Sequence, residues 1–145
     1  MSEGTADQLI ALTGRASLAG AIDDIVALGT RGVAVTLGAD GCLVATRQDP
    51  AAMALPALKV DVVDTTGCGD GFTAGMLAGL LLGADPVDAA WLGVACGSLV
   101  ATGLGSDAGI TGLGQVLGFL RAANAEVAER IAARAAAAGK GERVA

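Results

Sequence analysis

The residues best suited to bind a ligand or catalyse a reaction lie in one short stretch, VVDTTGCGDGFTAGM, at positions 62–76. An apolar pair leads into a carboxylate, two threonines and a glycine-rich turn, and a second carboxylate, Asp70, follows. Glycines let the backbone approach a ligand closely, and the first N–H groups of a helix attract negative charge. We therefore predict that the backbone amides of Gly67, Cys68 and Gly69 hold an anion, such as a phosphoryl group in transfer.

Asp70 itself admits two interpretations. A carboxylate beside an anion site repels phosphate, so its presence needs a reason, and accepting a proton from an attacking hydroxyl is such a reason. The other interpretation is an ordinary helix start, where a carboxylate contributes roughly 0.3–1 kcal/mol through the helix dipole and Thr65 or Thr66 is an N-cap. The pattern is neither a phosphate-binding loop ending in GK[ST] nor the GxGxxG dinucleotide fingerprint. The turn alone therefore leaves both interpretations open.

The composition of the 145 residues excludes several other classes of chemistry. There is no histidine, which removes Ser-His-Asp and Cys-His catalysis and histidine-bound metals. A net charge of −6 disfavours nucleic acid as a partner. The three cysteines form no CxxC pair and the N-terminal residues resemble no secretory leader, so we expect a reduced, cytoplasmic protein. Cys68 as a nucleophile is an alternative that depends on the helix start lowering its pKa, although no histidine or nearby lysine is present as a base.

A membrane-embedded protein is a third alternative, because 53% of the residues are hydrophobic. Glycines recur at steps of four, at Gly71, Gly75, Gly79 and Gly83, in a ridge that also packs membrane helices. The longest uncharged run, residues 89–106, is borderline against the roughly 20 residues that a spanning helix needs, and it contains four glycines and has no flanking basic cluster. We therefore expect the ridge to lie against a sheet or another helix, and we expect no membrane partner.

Periodicity predicts the elements that must position this turn. Apolar spacing predicts helices over Thr5–Leu12 and Leu18–Leu28, the second capped by Ser17, and β-branched runs predict strands over 32–38, 42–46 and Met53–Leu55. The apolar pair before the glycines predicts a strand-to-helix turn. Helices follow from about Gly69, from Asp85-Pro86 to about Ala101, and from Leu113 to Ala138. This order indicates an α/β layered fold.

Two of these helices carry a predicted side-chain pattern. The helix from Gly69 is expected to bury an apolar face, made of Phe72, Met76, Leu77, Leu80 and Leu81. The last helix is expected to expose a charged surface, made of Glu126, Glu129, Arg130 and Arg134.

With the elements in place, the stretch VVDTTGCGDGFTAGMLAGLLLG resembles the C-terminal signature of the PfkB (ribokinase-like) carbohydrate kinases, roughly DTxGAGD-x-F. Cys68 stands where alanine is usual. TLGADG at 36–41 resembles the family's nucleotide-binding strand and turn, and ACGSLVATGLGS at 95–106 resembles the helix and loop that follow the signature. The resemblance covers about residues 1–125 and implies the C-terminal, nucleotide-binding half of a ribokinase-like α/β fold, with 126–145 as a polar, alanine-rich helical tail.

The resemblance implies a role for each matching residue. Asp70 resembles the base that deprotonates a sugar hydroxyl, and Gly67, Cys68 and Gly69 resemble the anion hole. The implied cofactors are ATP, Mg²⁺ and a monovalent cation such as K⁺. The resemblance also implies nucleotide contacts at Thr36, Gly38 and Gly41, together with Gly69 and Asp70. It further implies a cation site formed by Asp64 and Thr66 with the backbone near Val100, Gly103 and Gly105.

Two departures from the family pattern limit what the resemblance implies. Thr5 and Gln8 stand where the family usually has NxxE, a motif that orders magnesium and phosphates. Such kinases also run to about twice this length, and the N-terminal half, which carries the sugar-binding residues, has no counterpart in the sequence. Two functions thus remain open: phosphorylation of a sugar or nucleoside, or nucleotide binding without catalysis. Because a partial fold exposes a sheet edge, we expect a homo-oligomer or a separate chain that supplies the missing half.

Overall fold

A computed structural model describes residues 6–141 of the chain and the side chains of residues 6–139. The chain divides into two compact units, Met1–Ala57 and Leu58–Ala145. Thr5, half of the pair that replaces NxxE, lies outside the described residues. Gln8 is placed on the first helix of the first unit.

The first unit packs two helices on a three-stranded antiparallel sheet. The helices are α1 (Ala6–Thr13) and α2 (Leu18–Ala27), and the strands are β1 (Gly32–Thr36), β2 (Cys42–Thr46) and β3 (Met53–Leu55), in the order β1-β2-β3. Val33 pairs with Ala45, and both join Val35, Leu9 and Ile22 in one buried cluster. The three predicted strands and the Ser17 cap, whose hydroxyl accepts from the Gly20 amide at 3.2 Å, are confirmed.

The second unit is built around two helices that approach each other unusually closely, α3 (Cys68–Leu81) and α4 (Pro86–Val100). Glycines of α3 make this possible. A Cβ added at Gly75 would lie 2.7 Å from the Leu92 carbonyl oxygen, and one added at Gly79 would lie 2.8 Å from the Ala89 Cα. The predicted close packing of the glycine ridge is therefore confirmed, with α4 as the partner of the ridge.

The predicted apolar face of α3 is partly wrong. Phe72 and Met76 are buried, but Leu77 and Leu81 are 46% and 88% exposed. The reason is that the glycine row, not the leucine row, faces α4, and a helix can turn only one side towards a given neighbour.

The single C-terminal helix predicted over Leu113–Ala138 is also wrong. The chain forms two helices, α5 (Leu113–Ala123) and α6 (Ala125–Gly141), which meet at Asn124. The extended backbone of Asn124 ends α5, and its side chain then accepts from the Val127 amide at 3.2 Å and so caps α6. The break lets both helices bury apolar residues in one cluster, including Leu120 and Ile131.

The expectation that Arg130 belongs to a purely solvent-facing surface needs correction. Its guanidinium donates two hydrogen bonds, of 2.7 Å and 2.6 Å, to the carboxylate of Asp88, which is only 2% exposed. A buried carboxylate is costly without a partner, so this pair ties α6 to the start of α4. Asp85, at the head of α4, caps it as predicted, accepting from the amides of Val87 and Asp88 at 3.0 Å.

The helices also bear on the membrane alternative. Among residues 6–141, the structure contains no helix that is both long enough and apolar enough to cross a bilayer.

Candidate active site

The glycine turn of the second unit begins α3 directly. Gly67 is the N-cap residue and has a left-handed backbone, with φ of 79°, which glycine adopts without strain. The amide of Cys68, predicted to belong to the anion hole, instead donates to the Thr65 carbonyl at 3.3 Å. In the described part of the chain, the amides of Gly67, Gly69 and Asp70 have no hydrogen-bond acceptor. The turn therefore presents unsatisfied donors at a helix N-terminus, which is the arrangement that binds an anion.

The predicted strand before this turn is not observed. Residues 56–66 form no strand, and the segment is instead held by the Ala101 carbonyl, which accepts from Val63 at 2.8 Å and from Asp64 at 3.3 Å. Because this carbonyl belongs to the C-cap of α4, the end of α4 fixes where the turn begins.

Asp70 occupies the first turn of α3, within the set of free amides. Its side chain is exposed, and no hydrogen bond or ion pair engages its carboxylate within residues 6–139. Neither Thr65 nor Thr66 caps the helix, since the N-cap residue is Gly67 and has no side chain to offer. A carboxylate that is exposed and uncommitted is available to accept a proton.

Asp64 joins the turn to a loop that follows α4. One carboxylate oxygen accepts from the amide and the hydroxyl of Thr66, at 2.9 Å and 2.8 Å, and the other accepts from the Gly105 amide at 3.4 Å. The hydrogen bond from the Thr66 amide, followed by those from the Thr66 hydroxyl and the Gly105 amide, lowers the pKa of Asp64. Asp64 is thus held as a carboxylate that links two segments 41 residues apart.

The residues predicted to hold a monovalent cation lie at this junction. Thr66 and Gly105 donate to Asp64, and the Val100 carbonyl accepts from the Gly103 amide at 3.3 Å, two residues before Gly105. The carbonyls of Thr66 and Gly103 accept no hydrogen bond from the described residues. No group of three His, Cys, Asp or Glu side chains occurs in the described ranges, so any cation here would depend mainly on backbone oxygens.

The thiol of Cys68 is not activated by its position. Burial is the main cause that raises its pKa, and the charge of Asp64 raises it further. A raised pKa leaves the thiol protonated, which opposes the nucleophile alternative, because the thiolate is the reactive form. The contribution of Cys68 to the turn is its backbone.

The predicted nucleotide contacts lie in the first unit, at the connection between β1 and β2. A short 3₁₀ turn, Gly38–Asp40, follows Thr36 and Leu37, and the Leu37 amide donates to the Gly41 carbonyl at 2.8 Å. Gly38 has φ of 61° and open space around it, so a ligand can approach its backbone. Gly41 has φ of 94° and packs against the backbone at Leu55, where a side chain would collide, so packing alone explains this glycine.

The structure therefore groups the predicted residues into two sets. Asp64, Thr66, the glycine turn with Asp70, and the backbone at Val100, Gly103 and Gly105 form one set in the second unit. Thr36, Gly38 and Gly41 form the other set, at one turn of the first unit. Sequence reasoning missed the contribution of Ser106, which lies directly over Gly67: a Cβ added at Gly67 would come within 2.5 Å of the Ser106 Cβ.

Comparison with known proteins gives the family context of this arrangement. Residues 3–111 match the model of the pfkB family of carbohydrate kinases. A 1-phosphofructokinase of Haloferax volcanii is 40% identical over 98 residues, which is 64% of this chain and 32% of the relative. The chain thus spans about a third of the length of that curated relative.

Solved structures agree with the sequence match. Ribokinase from Thermotoga maritima superposes with a TM-score of 0.73 at 28% identity, over 82% of this chain and 41% of that one. A fructokinase from Vibrio cholerae, in its fructose-, ADP- and calcium-bound form, superposes with a TM-score of 0.71 at 31% identity, over 81% of this chain and 40% of that one. The fold is therefore ribokinase-like and α/β, and it is partial.

Proposed function

Because the chain belongs to the pfkB family of carbohydrate kinases, we propose that it carries the phosphoryl-binding and proton-accepting part of an ATP-dependent sugar kinase. The observation that supports this most directly is the pairing of free amides with a free carboxylate. The amides of Gly67, Gly69 and Asp70 have no acceptor within the described residues, and the Asp70 side chain in the same turn has no partner there. Free amides occur at any helix start, so it is their combination with the uncommitted Asp70 carboxylate in the same turn that favours the proposal.

In the proposed reaction, the acceptor hydroxyl oxygen forms a bond to the γ-phosphorus while the bond from that phosphorus to the β-bridging oxygen breaks. Asp70 takes the hydroxyl proton, and the amides of the glycine turn donate to the equatorial oxygens, on which charge accumulates. Backbone donors fixed at a helix start need no reorganisation during the step. The left-handed backbone of Gly67 sets the direction of these amides before the substrate binds.

Thr36 and Gly38, at the connection between β1 and β2 in the first unit, are proposed as nucleotide contacts, and the glycine turn of the second unit is proposed to hold the transferred phosphoryl group. Mg²⁺, which enters with nucleotide phosphates, would neutralise their charge. The carbonyls of Thr66 and Gly103 and the carboxylate of Asp64 fit a monovalent cation such as K⁺, since all are oxygen donors and Asp64 is held ionised. Three free cysteines agree with a reduced, cytoplasmic setting.

The acceptor is proposed only as a class, a sugar, sugar acid or nucleoside hydroxyl. The similar proteins named above are called ribokinase, fructokinase and 1-phosphofructokinase, so their acceptors differ while the matched region is shared. Residues that select the acceptor therefore belong to the part of the relatives that this chain does not match, supplied by more of the same polypeptide or by another chain.

The experiment follows ADP release when the purified chain is mixed with ATP, Mg²⁺, K⁺ and a panel of fructose, ribose, a sugar acid and a nucleoside. Where ADP forms, we expect Asp70→Asn to lower kcat by about 10²–10⁴-fold, the usual contribution of a general base, and to leave ATP binding intact. Asp61→Asn is the matched control, because Asp61 is an exposed carboxylate of the same unit outside the turn.

The outcomes separate the kinase from the alternative. A near-normal kcat in the Asp70→Asn variant would contradict the assignment of the base. No ADP above background, with a rise in Tm when MgATP is added, would indicate nucleotide binding without catalysis. No rise in Tm would contradict both functions.

A further inference from the structure

In the loop between α4 and α5, the two arms of the loop pack against each other. At its base, a Cβ added at Gly109 would lie 2.6 Å from the Thr102 Oγ1, and the Thr102 hydroxyl donates to the Leu99 carbonyl at 2.7 Å. One step further out, a Cβ added at Gly103 would lie 2.6 Å from the Ala108 Cβ. The two arms of the loop of residues 102–109 are therefore in contact at two successive levels.

The tip of this loop rests on the glycine turn. Ser106 packs on Gly67 so closely that the turn has no room for a side chain there, and the neighbouring Gly105 amide donates to Asp64. Because the two arms of the loop pack against each other, we expect a displacement of the base to shift the tip as well. On this expectation, the position of the base influences how Ser106 covers the glycine turn.

On the α5 side, the base is held by the side chain of Gln115. Its amide nitrogen donates to the Gly109 carbonyl at 2.7 Å, and its amide oxygen accepts from the amide and hydroxyl of Thr111, at 2.7 Å and 2.9 Å. Gln115 occupies the third position of α5, whose N-cap, Gly112, has no side chain to cap the helix. The Gln115 side chain thus binds Thr111, just before α5, through its oxygen, and it binds the loop at Gly109 through its nitrogen.

We propose that Gln115 is a positioning residue that holds the loop of residues 102–109 on the glycine turn through the Gly109 carbonyl. Its relevance to nucleotide binding rests on the proposed function, but its effect on the loop does not. The competing interpretation is a purely local one, in which Gln115 only starts α5 by reaching back to the chain before the helix, as glutamine does in a capping box.

Two variants separate these interpretations. Gln115→Met has a similar shape and loses all three hydrogen bonds. Gln115→Glu keeps oxygens for Thr111 and favours the helix start by its charge, but it loses the donor to Gly109 and sets a carboxylate against a carbonyl oxygen. Arg121→Gln is the control on the same helix, since it breaks only an exposed pair with Glu129.

The first readout is the nuclear Overhauser effect between the Gly67 Hα and Ser106 Hβ protons, which the packing of these residues places within range in a protein of 14.0 kDa. The second is the Kd for MgATP. We expect both Gln115 variants to weaken the proton–proton signal and to raise the Kd about fivefold, the effect of one hydrogen bond, while Arg121→Gln resembles the wild type.

A Gln115→Glu variant that keeps the wild-type signal would overturn the proposal, because the Gly109 bond would then be dispensable. A Kd unchanged in both variants despite a lost signal would overturn the role in nucleotide binding. If the wild-type chain does not bind MgATP, the proposed function fails, and the Gly67–Ser106 signal still decides whether Gln115 holds the loop.

Discussion

Gly75→Ala is a direct test of the close packing of α3 on α4. An added Cβ would lie 2.7 Å from both the Leu92 carbonyl oxygen and the Cys96 Sγ, whereas ordinary contacts are 3.4–4 Å. A backbone oxygen cannot rotate away, so the helices must move apart, and we place the cost in the upper part of the usual overpacking range, about 2–3 kcal/mol. Alanine recovers about 1 kcal/mol through its higher helix propensity. The expected net loss of stability is about 1–2 kcal/mol.

The same substitution at Gly118 is the matched control. Gly118 lies inside α5, and a Cβ added there meets nothing within 4 Å. Only the propensity term applies, so Gly118→Ala should raise the free energy of unfolding by about 1 kcal/mol. The two variants should therefore differ by about 2–3 kcal/mol, or roughly a hundredfold in the unfolding equilibrium constant, with opposite signs relative to wild type.

The assay is urea unfolding followed by the fluorescence of Trp91, the one tryptophan of the chain, which lies on α4 beside the buried cluster of the second unit. Stabilisation by Gly75→Ala of the size seen for Gly118→Ala would refute the reasoning, because it would mean that α3 and α4 have room for a methyl group between them.

Two further predictions concern charged groups of the second unit. Folding lowers the pKa of Asp64 below its ordinary value of 3.8, so its contribution to stability is present above that pH and is lost as the pH falls through the folded pKa. The Tm difference between wild type and Asp64→Asn should therefore be largest near neutral pH and narrow below about pH 3.8; a difference independent of pH would contradict this. Arg130→Met leaves the buried carboxylate of Asp88 without its partner, so it should lower the urea midpoint of unfolding. Arg121→Met should lower that midpoint less, because it breaks an exposed pair worth less than about 1 kcal/mol. Equal midpoints in the two variants would show that the Asp88 pair adds no stability.

Local chemistry accounts for what could be predicted. β-Branched runs gave the strands to within two residues at either end, and the Ser17 and Asp85 caps fixed two helix starts, because these signals act over only a few residues. The resemblance to the kinase signature located the glycine turn, because the glycines of that motif allow the left-handed backbone that begins α3.

The errors share a different origin. Leu77 and Leu81 read as core residues in the sequence, but burial depends on which side of α3 meets a neighbour, and a glycine row allowed the closer approach. The break at Asn124 was missed because helix-forming residues stand on both sides of it, and the burial of Leu120 and Ile131 in one cluster becomes visible only in the fold.

By itself, the sequence determined the identity of the turn, its glycines and its two carboxylates, and the absence of histidine chemistry. The tertiary structure decided how those groups are held: the Ala101 carbonyl anchors the start of the turn, Ser106 covers Gly67, and Gln115 holds the covering loop. These contacts join residues about 40 positions apart or depend on backbone atoms, and a backbone carbonyl or a loop packed on a glycine leaves almost no trace in side-chain identity. The reactive groups could therefore be predicted from the sequence, whereas the contacts that position them were visible only in the tertiary structure.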